Sequence, residues 1–312
     1  MGNGNETATT GFILLGLFSD SKNPEILISV ILLTCVISVA GNTTLILLIW
    51  LDTHLHTPMY VLLSQLSLMD LTLTSSTVTK MVTDFFSGKR NISQIGCGTQ
   101  MFFYLTVGIA ECVLLTLMAF DRYVAICNPL RYLALMSPRV CLITVLTSWA
   151  GSSLTSLSHT IYIMHVPTCG PREIHHFFCE VMAFLKLSCE DTSIYEKVVL
   201  VTGAVLILIP FGLIVASYAL VFLTVLHINA PRGRNRALAT CSSHLTVVSL
   251  YFGPAMIIYM SPCFSLPTEL DQHLFVLETI ITPLLNPLIY SLRNEEVLRA
   301  LKKALGKSLM SK

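Results

Sequence analysis

Apolar residues in this chain run in long unbroken stretches, without the alternation of a half-buried strand or the one-sided stripe of a soluble helix. Seven stretches stand out, at about residues 26–51, 57–79, 97–126, 140–164, 198–230, 237–262 and 272–292. Each reaches the roughly 20 residues that carry a helix across about 30 Å of hydrocarbon at 1.5 Å per residue. The pattern predicts an all-α membrane protein, a seven-transmembrane helix bundle forming one domain, with tails of residues 1–25 and 293–312. Apart from an Asp121-Arg122 pair closing the third stretch, its only embedded acids or bases are Asp70, Glu111 and Glu278. No tandem repeat or low-complexity tract interrupts the pattern.

Composition agrees. The chain is 54% hydrophobic and 12% charged, with a mean hydropathy of +0.73, against roughly 25% charged in a soluble domain. Net charge is +1 and no basic run could track a phosphate backbone, so the expected surroundings are membrane lipid and no nucleic acid. Twelve of the nineteen Lys and Arg residues fall on one side if the amino terminus is outside. The positive-inside rule therefore places the amino terminus outside and the carboxyl terminus inside. Met1 to Thr7 shows neither a basic n-region nor an apolar h-region, so the first span is expected to insert as its own anchor. Two glycosylation sequons fall on the outer side. Asn5, on a free tail, is favoured over Asn91, which lies close to the membrane.

Ten cysteines divide by location. Cys35, Cys112, Cys127, Cys141, Cys241 and Cys263 lie in or beside spans, where a thiol acts as a small hydrophobe. Cys97, Cys169, Cys179 and Cys189 fall on the outer, oxidising side, where four cysteines allow three pairings. No Cys-x-x-Cys or His-x-x-x-His cluster accompanies them, which favours disulfides over zinc.

Several blocks then recur in a familiar order: Gly41-Asn42, Leu55 to Tyr60, Leu66 to Asp70, Met118 to Cys127, Ser217-Tyr218, Ala239 to Leu245 and Pro283 to Ser291. Together they cover nearly the whole chain, which closely resembles the tetrapod-type (class II) olfactory receptors among the rhodopsin-like G-protein-coupled receptors. The resemblance implies an odorant receptor, not an enzyme. It would bind small apolar odorants in the outer half of the bundle, activate a heterotrimeric G protein of the stimulatory, olfactory type, and raise cyclic AMP. Its expected place is the plasma membrane of olfactory cilia. The resemblance also implies the disulfides Cys97–Cys179 and Cys169–Cys189.

It further implies a switch. Arg122, followed by Tyr123, engages Asp121 at rest and turns toward Tyr218 and Tyr290 on activation, while Asn286-Pro287 and Pro210 distort their helices. A charged pair at a dielectric boundary suits this role, because its attraction strengthens when dry and weakens when hydrated. Asp70, Glu111 and Asn286 form a second polar set, either a hydrated structural network or, through the two carboxylates, hard oxygen ligands for an allosteric sodium ion. No other cofactor is expected.

For the ligand site, Tyr104, Leu105, Gly108, Ile109 and Cys112 share a broad face of the third helix, and Phe252, Ala255, Met256 and Tyr259 offer an opposite wall. Plain helix packing is the alternative for each. Tyr251-Phe252-Gly253 inverts the family's usual Phe-Tyr-Gly, so the phenol expected at position 252 is missing. Phe120 replaces the family's usual tyrosine on a lipid or packing face. Glu278 is an acid where the family is usually uncharged. A helical rise of 1.5 Å per residue puts it level with Lys80 to within about 3 Å, which predicts a Lys80–Glu278 pair, with ligand contact as Glu278's other role.

Rival classes fare worse. A seven-helix channel or transporter usually shows inverted halves with matched helix breaks. Among non-olfactory receptors, a photoreceptor would need a lysine within 272–292. An aminergic receptor would need an acid in place of Tyr104. A hydrolase would need convergent groups, whereas His159, His227 and His244 sit on separate helices.

Overall fold

The computed structural model describes residues 11–17, 22–227, 231–260 and 268–310. Seven long helices form the bundle: α1 Pro24–Leu51, α2 Pro58–Ser87, α3 Gln94–Cys127, α4 Pro138–His165, α5 Ser193–Leu226, α6 Pro231–Met260 and α7. The last is built from Thr268–Val276, a π-helical turn Leu277–Ile281 and Thr282–Arg293. Proline sits at the start of α1, α2 and α4, where its missing N–H has no intrahelical partner to lose. Ser93 and Ser137 cap α3 and α4 through their hydroxyls, accepting from the amides of Gly96 and Val140. Gly88, at φ +65°, ends α2 in the left-handed conformation.

Six of the seven helices, all but α2, are long and apolar enough to cross a bilayer. α2 has the length, at 30 residues, but spends its polar groups on neighbouring helices. Gln65 accepts from the Trp149 indole of α4 at 3.2 Å, Asp70 accepts from Asn286 of α7, and the Ser76 carbonyl accepts from Gln100 of α3 at 2.9 Å. α3 is the central helix, packed on α2, α4, α5 and α6, and α1 closes the ring against α2 and α7. Leu33, Val36, Leu146, Leu154, Val201 and Phe222 point outward and exposed, an apolar surface suited to lipid. Phe120 is also 38% exposed on this outer face.

The end of the bundle carrying the disulfides has a small cap that the apolar pattern does not announce. Strand β1, Gly11–Leu14, lies between β2, Asn91–Ser93, and β3, Glu173–Ile174. It runs antiparallel to β2 and parallel to β3. A side chain at Gly11 would meet the Ile92 carbonyl oxygen at 2.7 Å, so this position admits only glycine. The tail expected to be free is thus tied down from residue 11, while Asn5 lies outside the described residues. Asn91 opens β2 with its side chain exposed. Phe12, Leu14, Ile92, Cys97, Cys179 and Phe184 make a second core beneath this sheet.

The opposite end closes with α8, Glu295–Met310, an amphipathic helix within the segment read as a tail. It buries Val297 and Ala300. The Tyr60 hydroxyl donates to Asn294 and Glu296 at 3.1 and 2.8 Å, and Lys303 lies 3.4 Å from Asp52.

Candidate functional site

A cavity opens between α3, α4, α5, α6 and α7 in the half of the bundle beneath the disulfides. Its free space is about 70 Å³, less than the roughly 150 Å³ in which an engineered apolar cavity holds benzene. Of the wall residues expected from the sequence, Leu105, Gly108, Ile109, Cys112, Ala255, Tyr259 and Glu278 line it. Tyr104, Phe252 and Met256 do not. Tyr104 stands behind the wall, packed on Phe178 and Phe275, and donates its hydroxyl to Glu278 Oε2 at 3.2 Å. Phe252 is core, 1% exposed and set between Phe211 and Tyr251. Met256 packs against the same core.

The phenol missing at position 252 arrives from position 251. Tyr251 lines the cavity and donates to the Gly108 carbonyl, with its oxygen 3.2 Å from Cys112 Sγ. Sequence reasoning passed over this residue, and also over His159, Glu180, Val199, Thr202, Gly203 and Ile207, all of which line the space. Val199, Thr202, Gly203 and Ile207 share a face of α5 at helical spacing. α5 is apolar all round, so no stripe marks its inner face.

Glu278 falls in the π-helical turn of α7, a widened turn of the kind that often marks functional positions. The expected Lys80–Glu278 pair does not form. Lys80 pairs with Asp84 one turn along α2, and Glu278 bonds across the bundle to Tyr104. Equal height fixes no rotation about a helix, and the i,i+4 partner is always within reach.

A loop covers the cavity. Cys97–Cys179 pins it to the start of α3, and Cys169–Cys189 closes the loop on itself. Just before Cys179, His176 stacks on Phe177, and the rings of His176 and Phe178 meet Phe275 edge-on. His176 is 1% exposed; burial drives its pKa down to about 3, helped by the Lys186 charge. Glu180 caps the short helix Val181–Leu185, accepting from the Ala183 amide at 2.6 Å, and its carboxyl is pushed up to about 7 by burial.

At the other end of α3 lies the charged pair. Arg122 Nε is 3.8 Å from Asp121 Oδ2, and the Tyr132 hydroxyl donates to Asp121 Oδ1 at 2.8 Å. Tyr218 and Tyr290 do not reach Arg122 here. Tyr218 bonds His244 Nδ1 at 2.7 Å, and the buried Tyr290 hydroxyl has no hydrogen-bond partner among the described residues. Tyr123 packs against the core. His244, which the sequence places in the family block Ala239 to Leu245 and leaves without a catalytic partner, is thus the group holding Tyr218. Of the basic run 232–236, only Arg234 is described at side-chain level, and it is exposed.

Between the two ends, Asn286 donates through Nδ2 to both Asp70 oxygens at 3.1 Å. Glu111 Oε1 and Asn286 Oδ1 are buried without a hydrogen-bond partner among the described residues. No group of three or more His, Cys, Asp or Glu side chains with metal-ligand geometry occurs among the described residues.

A profile described as Olfactory receptor matches residues 31–308. Over 306 residues the chain is 49% identical to human Olfactory receptor 2AG2, covering 98% of this chain and 97% of the relative. The chain belongs to the olfactory receptor family. Human Olfactory receptor 2L2 is 49% identical over 308 residues, 98% of each chain, and human Olfactory receptor 2M5 is 48% identical over 303, 97% of each. As an olfactory receptor it is a multi-pass membrane protein of a signalling family, which agrees with the apolar helices above.

Proposed function

We propose that this protein is an odorant receptor that captures a small, largely apolar molecule in the cavity between α3, α5, α6 and α7 and couples that event to a stimulatory, olfactory-type G protein. The cavity carries the reading: it is mostly apolar, dotted with a few polar groups, and separated from the Arg122 end by a buried polar set. The disulfide end faces outside and the Arg122 end faces the cytoplasm, with the expected residence in cilia. Odorant binding favours a second arrangement in which Arg122 leaves Asp121 for Tyr218 and Tyr290. A G-protein helix then enters beside Arg122. Asp70, Glu111 and the free Asn286 oxygen would offer hard ligands to a sodium ion that favours the resting arrangement.

The test is cyclic AMP production in cells carrying the full chain and a stimulatory G protein, across a chemically diverse odorant panel. Ligand-dependent cyclic AMP supports the reading. Ligand-gated current without G protein would replace it with a channel.

A further inference from the structure

The cavity has acids on two walls and no Lys or Arg among its described lining residues to meet them. Glu278, 5% exposed, lines it from α7, and Glu180 lines it from the covering loop. The two acids differ in what they have left to offer. The Glu180 carboxylate is engaged by the backbone of the helix it caps. Among the described residues, the hydrogen bond to Glu278 comes from Tyr104 and falls on Oε2, which leaves Oε1 without a donor, and no basic side chain forms an ion pair with Glu278. His159, the remaining basic group of the wall, has Nδ1 occupied by the Tyr195 hydroxyl at 2.7 Å.

Around Glu278 the wall is aromatic. The Tyr251 and Tyr259 rings line the space, and Tyr259 lies against Gly203, where a Cβ would come within 3.2 Å of the ring. Ring faces beside a carboxylate recognise an ammonium ion, because the aromatic quadrupole and the anion attract the same charge. With a neutral ligand the buried acid keeps its proton, whereas an amine can take that proton and, as an ammonium ion, pair with the carboxylate in a dry site.

Resting on the odorant-receptor reading, we propose that the cavity selects small aliphatic amines as ammonium ions. The nitrogen donates to Glu278 Oε1 beside Tyr251 and Tyr259, and the alkyl chain lies along Ile109, Val199 and Ile207. Tyr104 occupies the position from which an acid would hold an amine in aminergic receptors. Here it orients an acid supplied by α7 instead. The small free volume restricts the ligand to short chains.

The experiment compares matched ethyl, propyl and butyl amines, alcohols, aldehydes and carboxylic acids on the full-length receptor, reading cyclic AMP with surface level monitored. Amines are expected to be about tenfold or more potent than their matched alcohols and aldehydes. E278Q should erase that ratio, and E278D should keep it while moving the optimum toward a longer chain. Potent alcohols or aldehydes beside silent amines would overturn the proposal and leave the odorant-receptor reading standing. An unchanged ratio in E278Q at the cell surface would also overturn it. Should E278Q not reach the surface, an unchanged chain-length optimum in E278D would do the same. A receptor at the surface that answers none of these compounds would likewise overturn the proposal, whereas ligand-gated current without G protein would overturn the odorant-receptor reading itself.

Discussion

Asn42 donates its side-chain amide to the carbonyl of Pro283 at 2.9 Å, and Ser38 adds a second donor at 3.0 Å. That carbonyl is free because its intrahelical partner would be the N–H of residue 287, a proline. Gly41 lets α1 come close enough, since a Cβ there would sit 3.1 Å from the Pro287 ring. The family blocks Gly41-Asn42 and Asn286-Pro287 are therefore two halves of one contact. Replacing both donors (S38A with N42A) strands a buried carbonyl and should cost about 1–3 kcal/mol. The expected readout is a lower midpoint for thermal loss of monodisperse receptor in detergent, and a wild-type midpoint would refute the account.

The two disulfides should differ in weight. Cys97–Cys179 closes a loop of sequence separation 82, and Cys169–Cys189 one of 20. Chain entropy gives about 4–5 against about 3 kcal/mol, and Cys97–Cys179 also pins the cavity cover. C97S should abolish surface delivery, while C169S with C189S should leave a measurable fraction. Flow cytometry on an epitope at the amino terminus checks the order, and equal losses would count against it.

The covering loop carries two opposed proton switches. His176 has its pKa lowered to about 3 in the fold, so the unfolded loop binds the extra proton between that value and about 6.5. Its contribution is complete above pH 6.5 and is lost as pH falls. Glu180 is raised to about 7, so its contribution is complete below about 4.5 and is lost as pH rises toward 7. Each slope is at most about 1.4 kcal/mol per pH unit. Between pH 5 and 6.5, H176N should make the loop more protected as pH falls, and E180Q should make it less protected. Hydrogen-exchange protection factors at Phe177 and Phe178 report this, and parallel slopes in the two variants would exclude the scheme.

His244 holds the Tyr218 hydroxyl in the arrangement described above. H244A frees that hydroxyl for Arg122 and should raise ligand-independent cyclic AMP severalfold, whereas H244A with R122A should return it to background. Basal reporter signal normalised to surface level decides. No rise in H244A would mean that the bond is structural only.

How legible the molecule was depends on which physical signal carried each part. Burial in lipid needs continuous apolar runs, so the helices were readable within a few residues. α2 still ran on to Ser87, and α6 began at Pro231, because polar ends can extend a helix beyond the hydrocarbon. Side chains that point inward from α5 were not readable, since nothing in an all-apolar helix separates lipid-facing from cavity-facing positions. Tyr251 was missed for a related reason: its neighbour occupies the expected position, and only helix rotation decides which ring faces Cys112.

The sequence alone determined the membrane class, the number of long helices, the family, and the clustering of rare charges at Asp70, Glu111, Asp121-Arg122 and Glu278. Those are one-dimensional signals, because an embedded charge is costly wherever it lies along the chain. Tertiary structure decided the pairings. Glu278 went to Tyr104 and not to Lys80, Tyr218 went to His244, and β1 bridged two distant loops. The rise along a helix fixes height, but rotation about the axis and the packing of neighbours fix which side chains meet.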